Sequence, residues 1–315
     1  MEKLITIAIP TFNRAQLLDK QLGWLAQAVK CQEADCEVLI SDNCSSDETP
    51  QVIQKWREEL SSLTLKVNRN SENIGAIRNI AYCIKEATGR FVWDISDDDE
   101  IGPDTLTYVL HQIKSYPDLA LLVLNFSSYS VTKNELVFDR CFEVEEDNVW
   151  TDGTALFERY LAEPEGARWG GLALTTALVY RTDLAQRALA EWPAGVTNLT
   201  FQLYITGYCA RHGSAKITKE TYLQCMAGTH FFLQDRKMFF AFRYAEVPEI
   251  FIKLMKIGYS PDLCRQKVLG QRREFKRWLI KQCFKAWPVF TTKILARYAI
   301  TVCQVIYFAG FYFDV

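Results

Sequence analysis

The chain has 315 residues, 49% of them apolar, and its 36 Lys and Arg nearly balance its 38 Asp and Glu. That apolar content excludes a disordered chain. The formal charge of −2 excludes a chain that is basic throughout, as many nucleic-acid binders are. We therefore expect no nucleic-acid partner, and the length allows one large domain or two smaller ones.

Charge is uneven along the chain. Between residues 261 and 315, ten Lys and Arg face three Asp and Glu, whereas residues 1–260 are acidic overall. Such a basic segment is typical of a surface that meets an anionic partner. The ten cysteines form no Cys-x-x-Cys pair, and the start of the chain has no signal-peptide pattern. We therefore expect free thiols and a reducing, cytoplasmic location.

Short β-rich runs alternate with helical patterns over the first hundred residues. Residues 4–9 form the first run, which ends at Pro10, and Asn13 is predicted to cap the helix that follows. The alternation continues with strands at 37–41, 63–68 and 90–95 and helices at 49–60 and 76–87. Strands and helices in turn, joined by short connections, predict a doubly wound, mainly parallel α/β sheet.

The second part of the chain has a less regular pattern. Residues 127–165 are expected to be loops, and the chain from about residue 239 onwards is expected to be mostly helical. Between these regions the sequence predicts strands at 119–126 and 174–180 and helices at 103–115, 182–190 and 199–211.

Polar residues follow each of the first four predicted strands. They occupy positions 10–14, 41–43, 68–69 and 96–99. The carboxyl ends of parallel strands meet at one edge of the sheet, which is where open α/β sheets bind ligands. The sequence therefore predicts a binding site at this edge.

The acidic triplet Asp97, Asp98 and Asp99 is the sharpest feature of that edge. Three adjacent carboxylates repel one another unless a cation lies among them, and hard oxygen ligands favour Mg²⁺ or Mn²⁺. A bound nucleoside diphosphate would complete the coordination with its phosphates. A solvated acidic loop is the alternative, but the position after an apolar strand favours the metal.

Two further charged residues are candidates for nucleotide contacts. Asp42 directly follows the second strand, where a carboxylate can accept hydrogen bonds from a base or ribose, although an Asx-turn explains it equally well. Arg78 follows the turn Asn73-Ile-Gly75 and could reach a diphosphate; the alternative is a surface arginine. Asp47 is expected to cap the helix that begins at Thr49.

Four segments, in this order, resemble the motifs of family 2 glycosyltransferases, which have the GT-A fold. They are Ile-Pro-Thr-Phe-Asn-Arg ending at Arg14, Ser-Asp-Asn-Cys-Ser-Ser-Asp ending at Asp47, Asn-Ser-Glu-Asn-Ile-Gly-Ala-Ile-Arg-Asn ending at Asn79, and Gly-Arg-Phe-Val-Trp-Asp-Ile-Ser-Asp-Asp-Asp ending at Asp99. The resemblance covers about residues 3–125. Within the family, the chain is most similar to the bacterial abequosyltransferase-like group, which adds deoxysugars in O-antigen assembly.

The resemblance implies a division of the chain. Residues 1–235 would be the GT-A domain, with a nucleotide-sugar-binding half at 1–125 and an acceptor-binding half at 126–235. Residues 236–315 would be a mostly helical, basic and aromatic extension.

The resemblance also implies roles for individual residues. The nucleotide sugar would be bound by Pro10, Thr11, Asn13, Arg14, Asp42, Asn73 and Arg78. The metal, Mn²⁺ or Mg²⁺, would be held by Asp97, Asp98 and Asp99. Ser96 stands where the commonest form of the acidic motif has an aspartate, so the ligating pair is open. We favour Asp97 with Asp99, and Asp98 is the alternative ligand.

Enzymes of this family invert the anomeric centre and need a general base for the acceptor hydroxyl. Relatives commonly carry it as a Glu-Asp pair about a hundred residues after the acidic motif, but residues 196–204 contain no carboxylate here. The base is therefore unknown. The weak candidates are Glu191 and His230, and the other residues to be considered are Asp152, Asp183 and His212.

The family implies transfer of a sugar from a nucleoside-diphosphate sugar to a glycan acceptor carried on a polyprenyl diphosphate, in O-antigen or other surface polysaccharide synthesis. Residues 298–313 are uncharged, but sixteen residues are fewer than the roughly 20 needed to span a bilayer. We expect the tail to lie at the inner face of the bacterial cytoplasmic membrane; packing on the catalytic domain or a homo-oligomer contact is the alternative.

Two other functions stay open from the sequence alone. A catalytically silent relative acting as a binding subunit is compatible with the missing Glu-Asp pair. A nucleotidyltransferase would share the acidic strand end and the metal. It should carry a Gly-rich triphosphate loop after the first strand, and residues 10–14 contain no glycine.

Overall fold

The computed structural model describes residues 3–163, 169–228, 235–273 and 277–311. Its first part confirms the predicted alternation of strands and helices. The elements in chain order are β1 Ile5–Thr11, α1 Ala15–Ala28, β2 Cys36–Asp42, α2 Thr49–Glu59, β3 Thr64–Arg69, α3 Ala76–Glu86 and β4 Phe91–Asp94.

The next part departs from the prediction in three places. Its elements are β5 Glu100–Ile101, α4 Thr105–Ser115, β6 Leu119–Ser130, β7 Glu135–Phe138, α5 Gly153–Ala162, β8 Leu178–Arg181, α6 Thr182–Glu191, α7 Phe201–Arg211 and β9 Ser214–Ala227. Helix α5 and strand β7 lie where only loops were expected, strand β9 was not predicted, and strand β8 starts later than expected.

Helices make up the described part of the carboxyl-terminal region, as predicted. They are α8 Arg236–Ala241, α9 Val247–Lys256, α10 Pro261–Arg273, α11 Arg277–Ala286 and α12 Pro288–Phe311, with a π-helical turn at Phe242–Glu246 between α8 and α9.

The strands form one mixed, mostly parallel sheet in the order β3-β2-β1-β4-β8-β6-β9-β5, with β7 paired to β6. Strands β1 to β4 are parallel, β8 is antiparallel to its neighbours β4 and β6, and β6 and β9 are parallel. The strand order reverses between β1 and β4, which is the topological switch point of a doubly wound sheet. The predicted polar edge therefore lies at the place where such sheets bind ligands.

Strand β9 escaped the sequence analysis because polar side chains are buried on it. Lys216 is 2% exposed, and its Nζ donates to Gln112 Oε1 at 3.0 Å and to Asp147 Oδ2 at 2.8 Å. A lysine is buried in this way only when its charge is paired. The pairing partners lie about 70 and 100 residues away in the chain, so no local pattern reveals them.

The predicted cap of α1 is wrong. Asn13 has φ +52° and does not cap the helix; its Oδ1 instead accepts a hydrogen bond from the Ser46 backbone N–H at 2.8 Å. Asp47 carries out the capping from the next loop. Its Oδ2 accepts from the N–H of Ala15 at 3.1 Å, and its Oδ1 accepts from the N–H of Thr49 at 3.0 Å, as predicted for α2.

Candidate active site at the carboxyl ends of the strands

Asp97 is one of the two buried members of the acidic triplet, with Asp99, and it joins the first and fourth strand ends. Its Oδ2 accepts a hydrogen bond from Thr11 Oγ1 at 2.8 Å, and its Oδ1 accepts from Arg14 Nη1 at 2.7 Å. Burial raises the pKa of Asp97, and the Arg14 charge opposes that rise. The predicted nucleotide residues Thr11 and Arg14 are thus in direct contact with the predicted metal residues.

Asp98 lies beside Asp97 and contacts the same guanidinium, that of Arg14. Its Oδ2 accepts from Arg14 Nη1 at 2.9 Å, and its Oδ1 accepts from the Ser96 hydroxyl. The side chain of Asp98 is more exposed than that of Asp97, at 14% against 4%. One positively charged nitrogen therefore touches both carboxylates at the rim of the site.

Asp99 is turned away from that shared point. Its Oδ1 accepts from the Met226 backbone N–H at 3.3 Å, at the end of β9, and its Oδ2 accepts from the Thr176 hydroxyl. Burial raises the pKa of Asp99 to about 6. We had favoured a pair of Asp97 with Asp99, but the structure brings Asp97 and Asp98 together on one cation.

Thr176 explains why β8 starts later than predicted. Its carbonyl accepts from Trp93 Nε1 at 2.7 Å, and its hydroxyl accepts from the Ser96 N–H at 3.0 Å. A short 3₁₀ turn, Thr175–Ala177, presents both groups to the acidic segment. Sequence reasoning missed this contact because Thr176 is about 80 residues from the triplet and carries no motif.

The donor chemistry of the site fits Mg²⁺ or Mn²⁺. The Arg14 nitrogen marks a point within 3 Å of one oxygen each from Asp97 and Asp98. Magnesium needs only one or two carboxylates when substrate phosphates complete its coordination. In the described ranges no group of three or more His, Cys, Asp or Glu surrounds one point. The two aspartates thus fit a cation shared with phosphates, once Arg14 has moved.

The second strand end provides the other half of the site. Asp42 is 1% exposed, and its Oδ1 accepts from the Ser45 N–H at 2.8 Å. Its Oδ2 has no hydrogen-bond donor among the described residues, and Arg69 Nε lies 3.5 Å away. A buried carboxylate oxygen that pairs with Arg69 only at this distance has room to accept a hydrogen bond from an N–H group of a bound base.

A network of asparagines shapes the loop around Asn73. Asn73 Oδ1 accepts from Asn43 Nδ2 at 2.8 Å and from the Gly75 N–H at 2.9 Å. Asn79, buried on α3, accepts from Asn70 Nδ2 at 3.0 Å. The sequence analysis gave Asn70 and Asn79 no role, although both stand in one of the four motifs.

Two of the residues predicted to bind the nucleotide sugar have no side-chain polar contact in the described part of the chain. Arg78 is exposed on the first turn of α3, as a ligand-binding arginine or a surface arginine would be. Pro10 pairs with Ser41 of β2, and the pairing of β1 with β4 ends before it, at Ala8. The N–H that proline lacks is therefore not needed for a hydrogen bond of the sheet. The structure therefore leaves both assignments as predictions.

Three of the base candidates lie at the opposite edge of the sheet. Asp183 stands beside Arg181 at the start of α6, and Asp152 caps α5 close to the start of β9. His212 lies two residues before β9, whose far end contacts Asp99, so up to about 40 Å of strand separates the two residues. None of the three can reach an acceptor at the acidic segment.

Glu191 and His230 were the two named candidates. Glu191 Oε1 accepts from the Tyr208 hydroxyl at 2.6 Å, and Tyr208 stacks on His212. In the part of the chain that the structure describes, nothing connects Glu191 to the acidic segment. His230 lies outside the described residues.

Asp94 is a buried carboxyl below the site that the predicted chemistry does not use. It is fully buried, and neither of its oxygens has a hydrogen-bond partner among the described residues. Burial raises the pKa of Asp94 well above its ordinary value, because removal from water favours the neutral form of the carboxyl.

We expect Asp94→Asn to stabilise the protein at neutral pH. The Asp94 carboxyl keeps its proton to a higher pH in the folded state than in the unfolded state. Ionisation of Asp94 in the unfolded state therefore lowers the free energy of unfolding as the pH rises above about 4. Asparagine removes that loss, and we expect a midpoint of thermal unfolding at pH 8 that is higher by about 2 °C or more. Thermal melts at pH 5 and pH 8 test this; an equal or lower midpoint at pH 8 would contradict it.

Comparison with known proteins gives the family. Residues 6–162 match Glycosyl transferase family 2. Abequosyltransferase RfbV of Salmonella typhimurium is 33% identical over 118 residues, which are 38% of this chain and 35% of that protein. A Campylobacter jejuni GalNAc(5)-diNAcBac-PP-undecaprenol beta-1,3-glucosyltransferase is 29% identical over 109 residues, 34% of each chain. The matched stretches thus span only about a third of these relatives.

Solved structures show the same fold over nearly the whole chain. Staphylococcus aureus TarS 1-349 is 19% identical with a TM-score of 0.61, covering 95% of this chain and 80% of that one. A mannosyltransferase from Pyrobaculum calidifontis, in complex with GDP-Man and Mn²⁺, is 14% identical with a TM-score of 0.55, covering 97% and 76%. The chain has the GT-A fold, and through residues 6–162 it belongs to glycosyl transferase family 2.

Proposed function

We propose that the protein is a metal-dependent inverting glycosyltransferase. It transfers a sugar from a nucleoside-diphosphate sugar to a glycan acceptor in bacterial surface polysaccharide synthesis. The observation that carries this proposal is the pair of carboxylates, Asp97 and Asp98, sharing one cationic nitrogen at the switch point of the sheet. That arrangement suits a metal-bound diphosphate, and the family supplies the reaction class.

The donor nucleotide fits the rim from the second strand end to the acidic segment. Asp42 Oδ2 lies at one end, with no hydrogen-bond donor among the described residues and Arg69 Nε 3.5 Å away, and the anionic Asp97–Asp98 pair lies at the other end. Structures of the same fold are in complex with UDP-GlcNAc and with GDP-Man and Mn²⁺. We propose that Asp42 receives the base and that Arg78, exposed at the start of α3, meets the diphosphate or the nucleotide.

Each side chain then has a defined part in the reaction. A bound divalent metal stabilises the charge that develops on the departing diphosphate. Asp97 and Asp98 hold it, and Thr11 fixes Asp97 through the hydrogen bond to its Oδ2. Asp99 joins the acidic segment to the end of β9 through the Met226 N–H, and this contact supports the proposed division into a donor half at 1–125 and an acceptor half at 126–235.

The acceptor half and the acceptor are proposals of the same kind. Residues 126–235 contribute β9 and Thr176 to the edge of the site, so an acceptor bound there would approach the sugar directly. The Campylobacter relative is named for an undecaprenol-diphosphate-linked glycan. We propose a polyprenyl-diphosphate-linked glycan as the acceptor here.

A lipid-linked acceptor requires contact with a membrane, and the last helix provides a surface for it. The stretch Pro288–Tyr307 of α12 is, by length and composition, long and apolar enough to cross a bilayer. A stripe at helical spacing, from Thr291 through Tyr298 to Val305, is buried against the body of the protein. Since that stripe would have to leave its packing before α12 could span, we propose that the helix lies on the membrane.

The surface that remains exposed combines apolar and basic side chains. Trp278 on α11 and Val289, Ile300 and Tyr307 on α12 are each more than half exposed. Exposed lysines of the same two helices flank them, at positions 281, 285 and 293. Apolar groups with a basic fringe suit the interface of an anionic bilayer, which for the proposed function is the inner face of the cytoplasmic membrane.

We expect charge reversal on this surface to release the protein from lipid. Changing Lys281, Lys285 and Lys293 together to Glu should lower binding to vesicles containing anionic phospholipid by about a hundredfold, because each basic residue near the surface contributes about 1 kcal/mol. Sedimentation with vesicles measures this.

The matched control reverses the same charge elsewhere, at the exposed residues Lys30, Lys85 and Lys133. Equal losses in both triple variants would show that net charge, and not this surface, governs binding. If the wild-type protein stays in the supernatant and forms a dimer through α12, the exposed surface binds a second copy of the chain and not a membrane.

A transfer assay tests the function itself. The protein is incubated with Mn²⁺, one labelled nucleoside-diphosphate sugar at a time, and polyprenyl-diphosphate-linked glycans extracted from bacterial membranes. We expect label to enter the lipid fraction with one sugar, and to do so only when metal is present. Metal-dependent donor binding without transfer to any acceptor would favour a binding subunit instead.

A further inference from the structure

Arg14 occupies the cation position of the acidic segment. Its Nη1 contacts Asp97 Oδ1 at 2.7 Å and Asp98 Oδ2 at 2.9 Å, and its side chain is 36% exposed. In the part of the chain that the structure describes, no other Lys or Arg pairs with either aspartate. The guanidinium therefore supplies the positive charge that the two carboxylates need when they stand side by side.

The backbone before Arg14 is built to aim it at this point. Asn13 adopts the left-handed region at φ +52°, which few residues other than glycine and asparagine tolerate. Its N–H donates to Ser45 Oγ at 2.9 Å and its Oδ1 accepts from Ser46 N–H. Ala15, the residue after Arg14 and the first of α1, donates its N–H to Asp47 Oδ2 at 3.1 Å. Arg14 is thus clamped on both sides by the second strand's loop.

The six carboxylate oxygens of the acidic segment all have protein donors. Four of the oxygens accept hydrogen bonds from the hydroxyls of Thr11, Ser96 and Thr176 and from the Met226 N–H. The other two oxygens, one on Asp97 and one on Asp98, contact Arg14 Nη1. The four other donors are short groups on the fold, whereas Arg14 is a long side chain that reaches in from solvent. It is the contact that a metal ion would have to displace.

We propose that Arg14 is a tethered counter-cation that keeps free metal out of the site until a diphosphate arrives. It is a positioning residue, and the inference rests on the proposed metal and nucleotide site. Without nucleotide, a metal must replace the guanidinium and leave it with no anionic partner. With nucleotide, the displaced guanidinium pairs with phosphate oxygens, for which its planar fork is suited.

This exchange couples the two ligands. Nucleotide strengthens metal binding by giving Arg14 a new partner, and by linkage metal strengthens nucleotide binding by the same factor. The coupling prevents the site from holding a metal that has no substrate to act on. Removing the guanidinium should therefore strengthen the binding of metal alone and weaken the coupling.

The test is a titration of Mn²⁺ alone, followed by the electron paramagnetic resonance of the free ion. We expect Arg14→Gln to bind Mn²⁺ at least about tenfold more tightly than wild-type protein. The matched control is Lys20→Gln, which removes a nearby positive charge that pairs with Glu100 at 2.7 Å but does not touch the aspartates. Its Mn²⁺ affinity should stay within about twofold of wild type.

An Arg14→Gln affinity equal to or weaker than wild type overturns the inference, as does an equal gain in Lys20→Gln. If wild type then still binds Mn²⁺ together with a nucleotide, only the inference about Arg14 falls. If no variant binds Mn²⁺ with any of UDP, GDP, CDP or dTDP, the proposed metal site falls with it. Should Arg14→Gln not fold, Arg14→Lys decides: it keeps the charge but loses the fork, and we expect a gain of about threefold.

Discussion

Asp98→Ala is expected to lower sugar transfer by about 10²- to 10³-fold while the protein stays folded, the usual cost of removing one group that stabilises transition-state charge. Asp98 is the more exposed of the two aspartates that contact Arg14, and one of its two hydrogen bonds is to the neighbouring Ser96. Its loss would remove one of the two proposed metal ligands and only two hydrogen bonds, those from Arg14 and Ser96. Transfer rates at saturating Mn²⁺ and a thermal melt measure the two effects.

Asp104→Ala is the matched control for that variant. Asp104 is an exposed aspartate at the start of α4 whose side chain caps nothing, so its removal changes the charge near the site without touching it. Near wild-type transfer by Asp98→Ala would refute the assignment of Asp98. The corresponding change at Asp97 is a poorer test, because it would leave Thr11 and Arg14 without their shared partner.

Asn79→Ala is expected to cost about 3 kcal/mol of folding stability, since each buried polar group left unpaired costs about 1–3 kcal/mol. Asn79 is 2% exposed on α3. Its Oδ1 accepts from Ser41 Oγ at 2.7 Å and from Asn70 Nδ2 at 3.0 Å, and its Nδ2 donates to the Ser41 carbonyl at 2.9 Å. The variant also removes the link between α3 and the end of β2, so nucleotide binding should weaken.

Urea unfolding measures the first effect, and nucleotide titration of the folded variant measures the second. Asn148→Ala is the control, because Asn148 is exposed and its side chain donates only to Glu146 two residues away. We expect that control to lose less than about 0.5 kcal/mol, as is usual for surface substitutions. A loss below 1 kcal/mol in Asn79→Ala would show that the network does not support the site.

The parallel half of the fold could be predicted because its signals are local. Strands β1, β2 and β4 are mainly apolar runs that end in polar residues, and β3 alternates apolar with polar residues, so each local pattern gives both the element and the edge where it ends. The position of the site follows from that edge. The elements that escaped prediction depend on distant partners instead, as β9 does through the buried ion pair of Lys216 with Asp147.

The sequence predicted that Thr11, Arg14, Asp97 and Asp98 lie at one edge of the sheet, where the structure brings them into contact, but it did not predict which of these side chains contact each other. Arg14 was predicted to bind the nucleotide, and that assignment stays a prediction; its ion pairs with Asp97 and Asp98 could not be predicted, because they depend on the left-handed turn at Asn13 and on a strand end about 80 residues away. Thr176 could not be found, because it bears no motif and reaches the acidic segment through a turn formed far along the chain. The general base stays unassigned for the same reason: proximity to the acceptor is a property of the fold and not of spacing.

The most direct test of the account is calorimetric titration of UDP-, GDP-, CDP- and dTDP-sugars, each with Mn²⁺ and with EDTA, into wild-type protein and Asp98→Ala. We predict that wild type binds one nucleotide sugar at least tenfold more tightly with Mn²⁺ than with EDTA, and that Asp98→Ala loses this difference. Binding that is equally tight in EDTA, or an Asp98→Ala variant that keeps the full metal effect, would contradict the proposed site.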